Sequence, residues 1–229
     1  MKRYVQPEIL DTLPSVDPRA VRSRRDLRRL NGWMRHPAIM AGTLHQTLPQ
    51  RMPGAITELG AGDGNFLLRV AQRISSCWPD VAVTLLDRQP TVSAETLAAF
   101  GALGWRVESV TADILDWPPA PSAGEVAIAN LFLHHFDETR LAELLRLISQ
   151  RTRIFIALEP RRALWPLFCS RQLWVIGGND VTRHDAPASV RAGFSGKELS
   201  SLWPDRQKWR LTEQRAGIFS HLFIAQKIS

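Results

Sequence analysis

The sequence predicts an α/β protein built on a doubly wound, mostly parallel sheet. Three observations predict it. From residue 54, short apolar runs alternate with amphipathic ones; the first short run leads into a glycine-rich turn that opens a helix; and the chain closes on two strand-like runs joined by a short connection. Short apolar strands alternating with helices imply a parallel sheet covered on both faces. A tight terminal connection makes the last pair an antiparallel hairpin.

The elements follow in order. The first 50 residues read as helical, an N-terminal cap: Leu27, Leu30 and Met34 recur at helical spacing, with Arg24, Arg28 and Arg29 on other faces. A second unit spans 51–229. Strands are predicted over 55–59, 81–86, 106–110, 125–131 and 154–158, with helices over 64–77, 92–101 and, capped by Asp137, 138–150. Residues 161–193 interrupt the rhythm with an apolar, aromatic stretch (163–176) and a polar one (177–193), an insertion on the acceptor side. Ser195 is then predicted to cap a short helix through Leu202, and 209–214 and 219–225 form the hairpin around Arg215, Ala216 and Gly217. Pro-containing breaks fall near 14–18, 48–53, 118–121 and 186–187.

Composition narrows the class. The chain has 229 residues, 45% hydrophobic and 22% charged, which suits one large soluble domain with an appendage. The net charge of +7 invites an anionic partner. Residues 1–36 hold nine basic and four acidic residues, so most of the excess lies in the helical cap and the rest is near balance. Cys77 and Cys169 form no disulfide framework, and no metal-ligand spacing is present, so no metal is expected. The start lacks the apolar core of a secretory signal and no apolar run could span a bilayer, so a cytoplasmic protein is expected.

The chemistry concentrates in Glu58-Leu59-Gly60-Ala61-Gly62-Asp63-Gly64, between the first strand and first helix. Glycines let the backbone turn sharply and approach a ligand, at the strand ends where open α/β sheets bind ligands. The spacing is GxGxG rather than the dinucleotide GxGxxG, with Asn65 in the place of the third glycine. Glu58 would repel a pyrophosphate and attract a cationic amine. Asp87 ends the second strand, where a carboxylate can accept both ribose hydroxyls. Asp113 and Ile114 follow the third and can read an adenine edge, and Asn130 ends the fourth, before Leu131-Phe132-Leu133-His134-His135-Phe136.

In that order and register these residues resemble class I S-adenosylmethionine-dependent methyltransferases, closest to the type 11/12 groups. The resemblance covers about residues 54–160, and the hairpin extends it to 225. It implies a seven-stranded sheet with an antiparallel last strand and S-adenosylmethionine as cofactor, leaving as S-adenosylhomocysteine. It implies that Glu58, Gly60 and Ala61 face the methionine part, that Gly62 also binds the cofactor, that Asp87 holds the ribose and Arg88, Asp113 and Ile114 meet the adenine, and that the Asn130 backbone meets the ammonium.

The cofactor's sulfonium carries the hard chemistry, so the protein mainly positions an acceptor. A base is needed only where the acceptor loses a proton, as a phenol or alcohol does. The candidates are His134, His135 and His184, with His135 and His184 preferred as catalytic; Glu159 is expected to pair with an arginine. The stretch Leu164, Trp165, Phe168, Trp174 and Ile176 either packs as core, lines an apolar acceptor site or rests on a membrane surface. No (N/D)PP(Y/F/W) motif and no Pro-Cys pair is present, which disfavours DNA-base methylation. The expected activity is methyl transfer to a small apolar or aromatic acceptor at oxygen. The alternatives are an RNA methyltransferase using the Arg-rich N-terminus, or a non-catalytic cofactor-binding partner protein.

Overall fold

The computed structural model describes residues 1–49, 52–116 and 126–228. Three helices come first: α1 (Ile9–Thr12), α2 (Pro18–Trp33) and α3 (His36–Thr47). The α/β alternation then runs β1 (Ala55–Leu59), α4 (Asn65–Ile74), β2 (Ala82–Asp87), α5 (Ala94–Ala102), β3 (Arg106–Thr111), β4 (Val126–Asn130), α6 (Glu138–Arg151) and β5 (Ile154–Pro160). Helices α7 (Leu164–Ser170), α8 (Asp180–Ala192) and α9 (Glu198–Leu202) precede the hairpin of β6 (Trp209–Ala216) and β7 (Ser220–Lys227).

The sheet has seven strands in the order β3-β2-β1-β4-β5-β7-β6. The first five pair in parallel, and β7 enters antiparallel between β5 and β6. The order reverses beside β1, between β2 and β4, which opens the crevice where such sheets bind ligands. Strands β4 and β5 are buried along their whole length, as covered central strands must be. One apolar layer packs Met40, Leu67, Phe100 and Trp105 on one face. The other packs Leu141, Leu144, Phe155 and Trp203 on the opposite face. Trp105 buries its indole by donating Nε1–H to the Trp78 carbonyl at 2.8 Å.

Local chemistry sets the helix starts. Asp17 accepts the Arg19 N–H and Pro18 occupies the first turn of α2. Asp137 accepts the Arg140 N–H at 2.9 Å, as predicted. Ser195 does not cap: α9 begins three residues later, Glu198 accepts the Ser195 N–H, and the Ser195 hydroxyl accepts from Arg162. The hairpin strands run longer than predicted, so the turn is Gly217-Ile218-Phe219. Within 161–193 the polar stretch is mostly helix α8, begun by Asn179, whose side chain accepts the Thr182 N–H. The predicted start of β4 at 125 and the break at 118–121 lie outside the described residues. No described helix is long and apolar enough to cross a membrane.

Residues 1–13 cross the carboxyl-end face of the sheet as a strap. Arg3 donates to the carbonyls of Ala192 and Phe136, both at 2.8 Å, with its guanidinium over the Phe194 ring. Asp185 accepts the Ile9 and Leu10 N–H groups, and Arg162 donates to the Met1 carbonyl. A Cβ on Gly193, at the end of α8, would lie 2.2 Å from the Pro160 carbonyl oxygen. Gly193→Ala is therefore expected to destabilise the protein by about 1–3 kcal/mol, read as a lowered denaturant midpoint; an unchanged midpoint would show that the α8–β5 junction is looser than this contact implies.

Candidate active site

The site forms where β1 turns into α4. Gly60 and Gly64 have φ of 68° and 72°, and a Cβ on them would meet Phe132 at 2.2 Å and Leu85 at 2.7 Å. Only glycine satisfies both constraints. The turn is pinned to β2: the Gly60 and Ala61 N–H groups donate to the Leu86 carbonyl, and the Gly62 N–H donates to Asp87 Oδ2 at 2.8 Å. Asp87 Oδ1 accepts the Gln89 N–H at 2.9 Å. Each Asp87 oxygen retains acceptor capacity, and the residue borders the main cavity.

That cavity, about 660 Å³, is lined by Gly60, Gly62, Asp87, Arg88, Asp113 and Ile114 on one side. On the other stand Leu27, Leu30, Phe132, Phe136 and Phe168, with His134 and His135. A recess of about 130 Å³ on the far side of the glycine turn is lined by Glu58, Ala61, Asp63 and Asn130 and by Arg24, Arg28 and Arg69. The structure thus brings all nine predicted cofactor-side residues to two adjoining hollows. Arg88 is also held by the strap, with Nη2 3.4 Å from Asp11 Oδ1. Asp113 Oδ1 accepts the Leu115 N–H within an Asx-type turn.

Glu58 is almost fully buried, and its Oε2 has no hydrogen-bond partner. Burial pushes its pKa well above the usual carboxylate range, and the charges of Asp63 and Asp87 add to the push. A buried carboxyl with one unpartnered oxygen beside a recess is complementary to a cation. Three arginines on the same wall are complementary to a carboxylate. Together they suit the two charges of an α-amino acid, and Asp87 suits a ribose diol. The residues therefore fit S-adenosylmethionine. Arg24 and Arg28 were legible only as a basic helix face; their place beside the turn is set by the packing of α2 on α4.

Asn130 is held from behind. His36 donates Nδ1–H to Asn130 Oδ1 at 2.7 Å, and its Nε2 accepts the Ser220 hydroxyl at 2.5 Å. Burial lowers the His36 pKa to about 4, against the opposing effect of the Asn130 bond, so it is neutral at physiological pH. No sequence signal marks this histidine, since its partners lie 94 and 184 residues away.

The two adjacent histidines differ. His134 is buried between Glu159 and Glu8: Nδ1–H donates to Glu159 Oε2 at 2.8 Å, and Nε2 lies 3.3 Å from Glu8 Oε1, an ion-pair distance without hydrogen-bond alignment. Burial alone would lower its pKa, but the two carboxylates outweigh it and hold it at about 9. Glu159 therefore pairs with a histidine, not an arginine, and also accepts the Phe132 and Leu133 N–H groups. Arg162 pairs with Glu198 instead. His135 is a quarter exposed, with Nδ1 2.9 Å from Asp11 Oδ2. Glu8, His134 and His135 bring ligand-type atoms within 4.8 Å of one another, a grouping that no sequence spacing marks. The two imidazoles lie tilted against each other, with centroids 4.2 Å apart and planes at 34°. His184 is half exposed, holds Asp185 through Nδ1 at 2.9 Å, and does not line the cavity.

These two buried histidines shape stability in opposite directions. A lowered histidine pKa contributes stability above the unfolded value near 6.5, lost as pH falls toward about 4. A raised one contributes below about 6.5 and is lost as pH rises through about 9. Thermal unfolding across pH is therefore expected to fall off on both sides. His36→Gln should remove up to about 3 kcal/mol of the acid-side dependence; an unchanged acid limb would contradict the buried neutral assignment.

Residues 56–153 match the family model of a methyltransferase domain. Over 72 residues the chain is 38% identical to trans-aconitate 2-methyltransferase of Streptomyces avermitilis; the match covers 31% of this chain and only a quarter of that protein. Among solved structures, the plantazolicin methyltransferase BpumL, in complex with a pentazolic desmethylPZN analog and SAH, superposes with a TM-score of 0.67 at 13% identity, covering 93% of this chain and 92% of that one. An O-methyltransferase family protein from Burkholderia thailandensis superposes with a TM-score of 0.60 at 17% identity, covering 90% and 60%. The glycine turn, Glu58 and Asp87 all lie within residues 56–153, the segment that matches the methyltransferase-domain model.

Proposed function

We propose that the chain transfers a methyl group from S-adenosylmethionine to the oxygen of a small apolar or aromatic acceptor. One observation carries this reading: a single cavity joins the nucleoside-side residues Asp87, Asp113 and Ile114 to a wall of Leu27, Leu30, Phe132, Phe136 and Phe168. In this reading residues 1–50 cap a methyltransferase unit spanning 51–229, the segment 161–193 closes the acceptor side, and the protein works in the cytoplasm.

The cofactor supplies an electrophilic methyl group on a cationic sulfur when bound. The protein's part is placement and proton handling. Glu58 offers its partnerless oxygen to the ammonium, Arg24 and Arg28 face the carboxylate, and Asp87 takes the ribose hydroxyls. Asn130, braced by His36, holds the strand end. The apolar wall excludes water and orients the acceptor. His135, with Nδ1 held by Asp11, takes the acceptor's proton at Nε2; His184 is the second candidate, and reaching the cavity would require it to leave Asp185.

The basic N-terminus supports a small acceptor over an RNA. Arg3 is engaged by carbonyls and Phe194, Arg19 by Asp17, Arg28 by Asp63 and Arg29 by Asp26. Much of that charge therefore has partners inside the protein.

Calorimetry with S-adenosylhomocysteine tests the cofactor half. Micromolar affinity is expected, and Asp87→Ala should weaken it by about 1–3 kcal/mol through lost charge-assisted hydrogen bonds; equal affinity would remove Asp87 from the ribose. Screening phenols for methyl uptake tests the other half. His135→Gln should lower turnover by about 10²–10⁴-fold with cofactor affinity retained, whereas full turnover would exclude His135 as the base.

A further inference from the structure

The exposed apolar residues are not scattered. Trp33, Phe168 and Val175 line the cavity and are also 69%, 55% and 64% exposed, so they stand where it meets solvent. Trp33 stacks on Phe219, another lining residue, at 5.9 Å, and Trp165 stacks on Phe168 at 5.7 Å. Leu164 and Ile218, also exposed, adjoin these pairs in the chain. Of the twelve large hydrophobic residues exposed among the described ones, three thus line the cavity and three more adjoin those or their stacking partners. A contiguous patch of this kind marks an interaction surface.

The chain segments that supply the patch are basic. The segments that supply it run from Asp26 to Glu58, from Glu159 to Asp180, and from Glu213 to the end of the sequence. Between those bounding acids they hold nine of the 29 basic residues and none of the 22 acidic ones; Arg28, Arg29 and Arg162 pair with Asp63, Asp26 and Glu198, which leaves Arg35, Arg161, Arg171 and Arg215 without an ion pair among the described residues. The basic residues interleave with the apolar ones: Arg35 follows Trp33 by two positions, Arg171 follows Phe168 by three, and Arg161 donates to the Ile218 carbonyl at 3.2 Å. Tryptophan and arginine around apolar side chains match the interface of an anionic bilayer, where rings lodge at headgroup depth and guanidinium groups meet phosphates.

We propose that this face docks on an anionic lipid surface, with the cavity mouth turned toward the bilayer. The protein rests on the membrane rather than spanning it. Combined with the acceptor reading above, on which this one consequence depends, docking would let an apolar acceptor pass from lipid into the cavity without crossing water.

Co-sedimentation with phosphatidylcholine vesicles, with and without a minority of phosphatidylglycerol, tests this. Binding to the anionic vesicles is expected, weakened about tenfold or more by high salt. Trp165→Glu combined with Ile218→Glu should abolish it; neither residue lines the cavity. Calorimetry with S-adenosylhomocysteine on the same variant should show unchanged affinity, which separates this test from failure of the cofactor reading. Absence of binding to anionic vesicles, equal binding to neutral ones, or full retention in the variant would overturn the proposal. So would gel filtration showing a dimer that Trp165→Glu dissociates, since the patch would then be covered by a second copy.

Discussion

The arrangement hangs on one buried charge cluster, the His134 imidazolium between Glu159 and Glu8. Glu159 sits near the end of the interior strand β5, His134 follows β4, and Glu8 arrives from the N-terminal strap. Burying three ionisable groups is costly unless each is paired. Here Glu159 also takes backbone N–H groups of the 132–133 turn, and Glu8 accepts the Ser189 hydroxyl. The cluster therefore fixes the turn carrying Phe132 and His135, the helix α8 and the strap in one geometry. Without it Asp11 would have no fixed position beside His135 and Arg88, and the cavity would lose one wall.

The second organising feature is an imbalance left open. Glu58 is buried without a cation of its own, while arginines from α2 and α4 stand across the same recess. A protein that needed only stability would fill this site with apolar groups. The unpartnered Glu58 oxygen and the guanidinium groups would be satisfied together by the zwitterionic ligand proposed above. The same helix α2 that supplies Arg24 and Arg28 to the recess carries Leu27, Leu30 and Trp33 to the main cavity, so one helix borders both hollows.

Much of this was legible in sequence where the signal is local. The glycine turn, Asp87 at a strand end and the Asp137 cap each declare themselves through nearest neighbours, and the terminal hairpin shows in its two apolar runs. What was not legible is set by distant pairing. Glu159 reads as an arginine partner because Arg161 and Arg162 follow it, but strand direction turns its side chain toward His134. His36 has no local mark, since Asn130 and Ser220 reach it only through the sheet. Ser195 resembles a helix cap, yet its hydroxyl serves Arg162. The net charge of +7 reads as an N-terminal excess, whereas folding gives several of those arginines internal partners.

The central claim is that the recess at Glu58 and the ledge at Asp87 hold the two ends of one S-adenosylmethionine molecule. A crystal structure of the protein with S-adenosylhomocysteine tests it most directly. The amino-acid end is expected in the recess between Glu58 and the α2 arginines, the ribose on Asp87, and the sulfur facing the His134–His135 side of the cavity. A cofactor bound elsewhere, or one whose ammonium makes no contact with the Glu58 side, would contradict it.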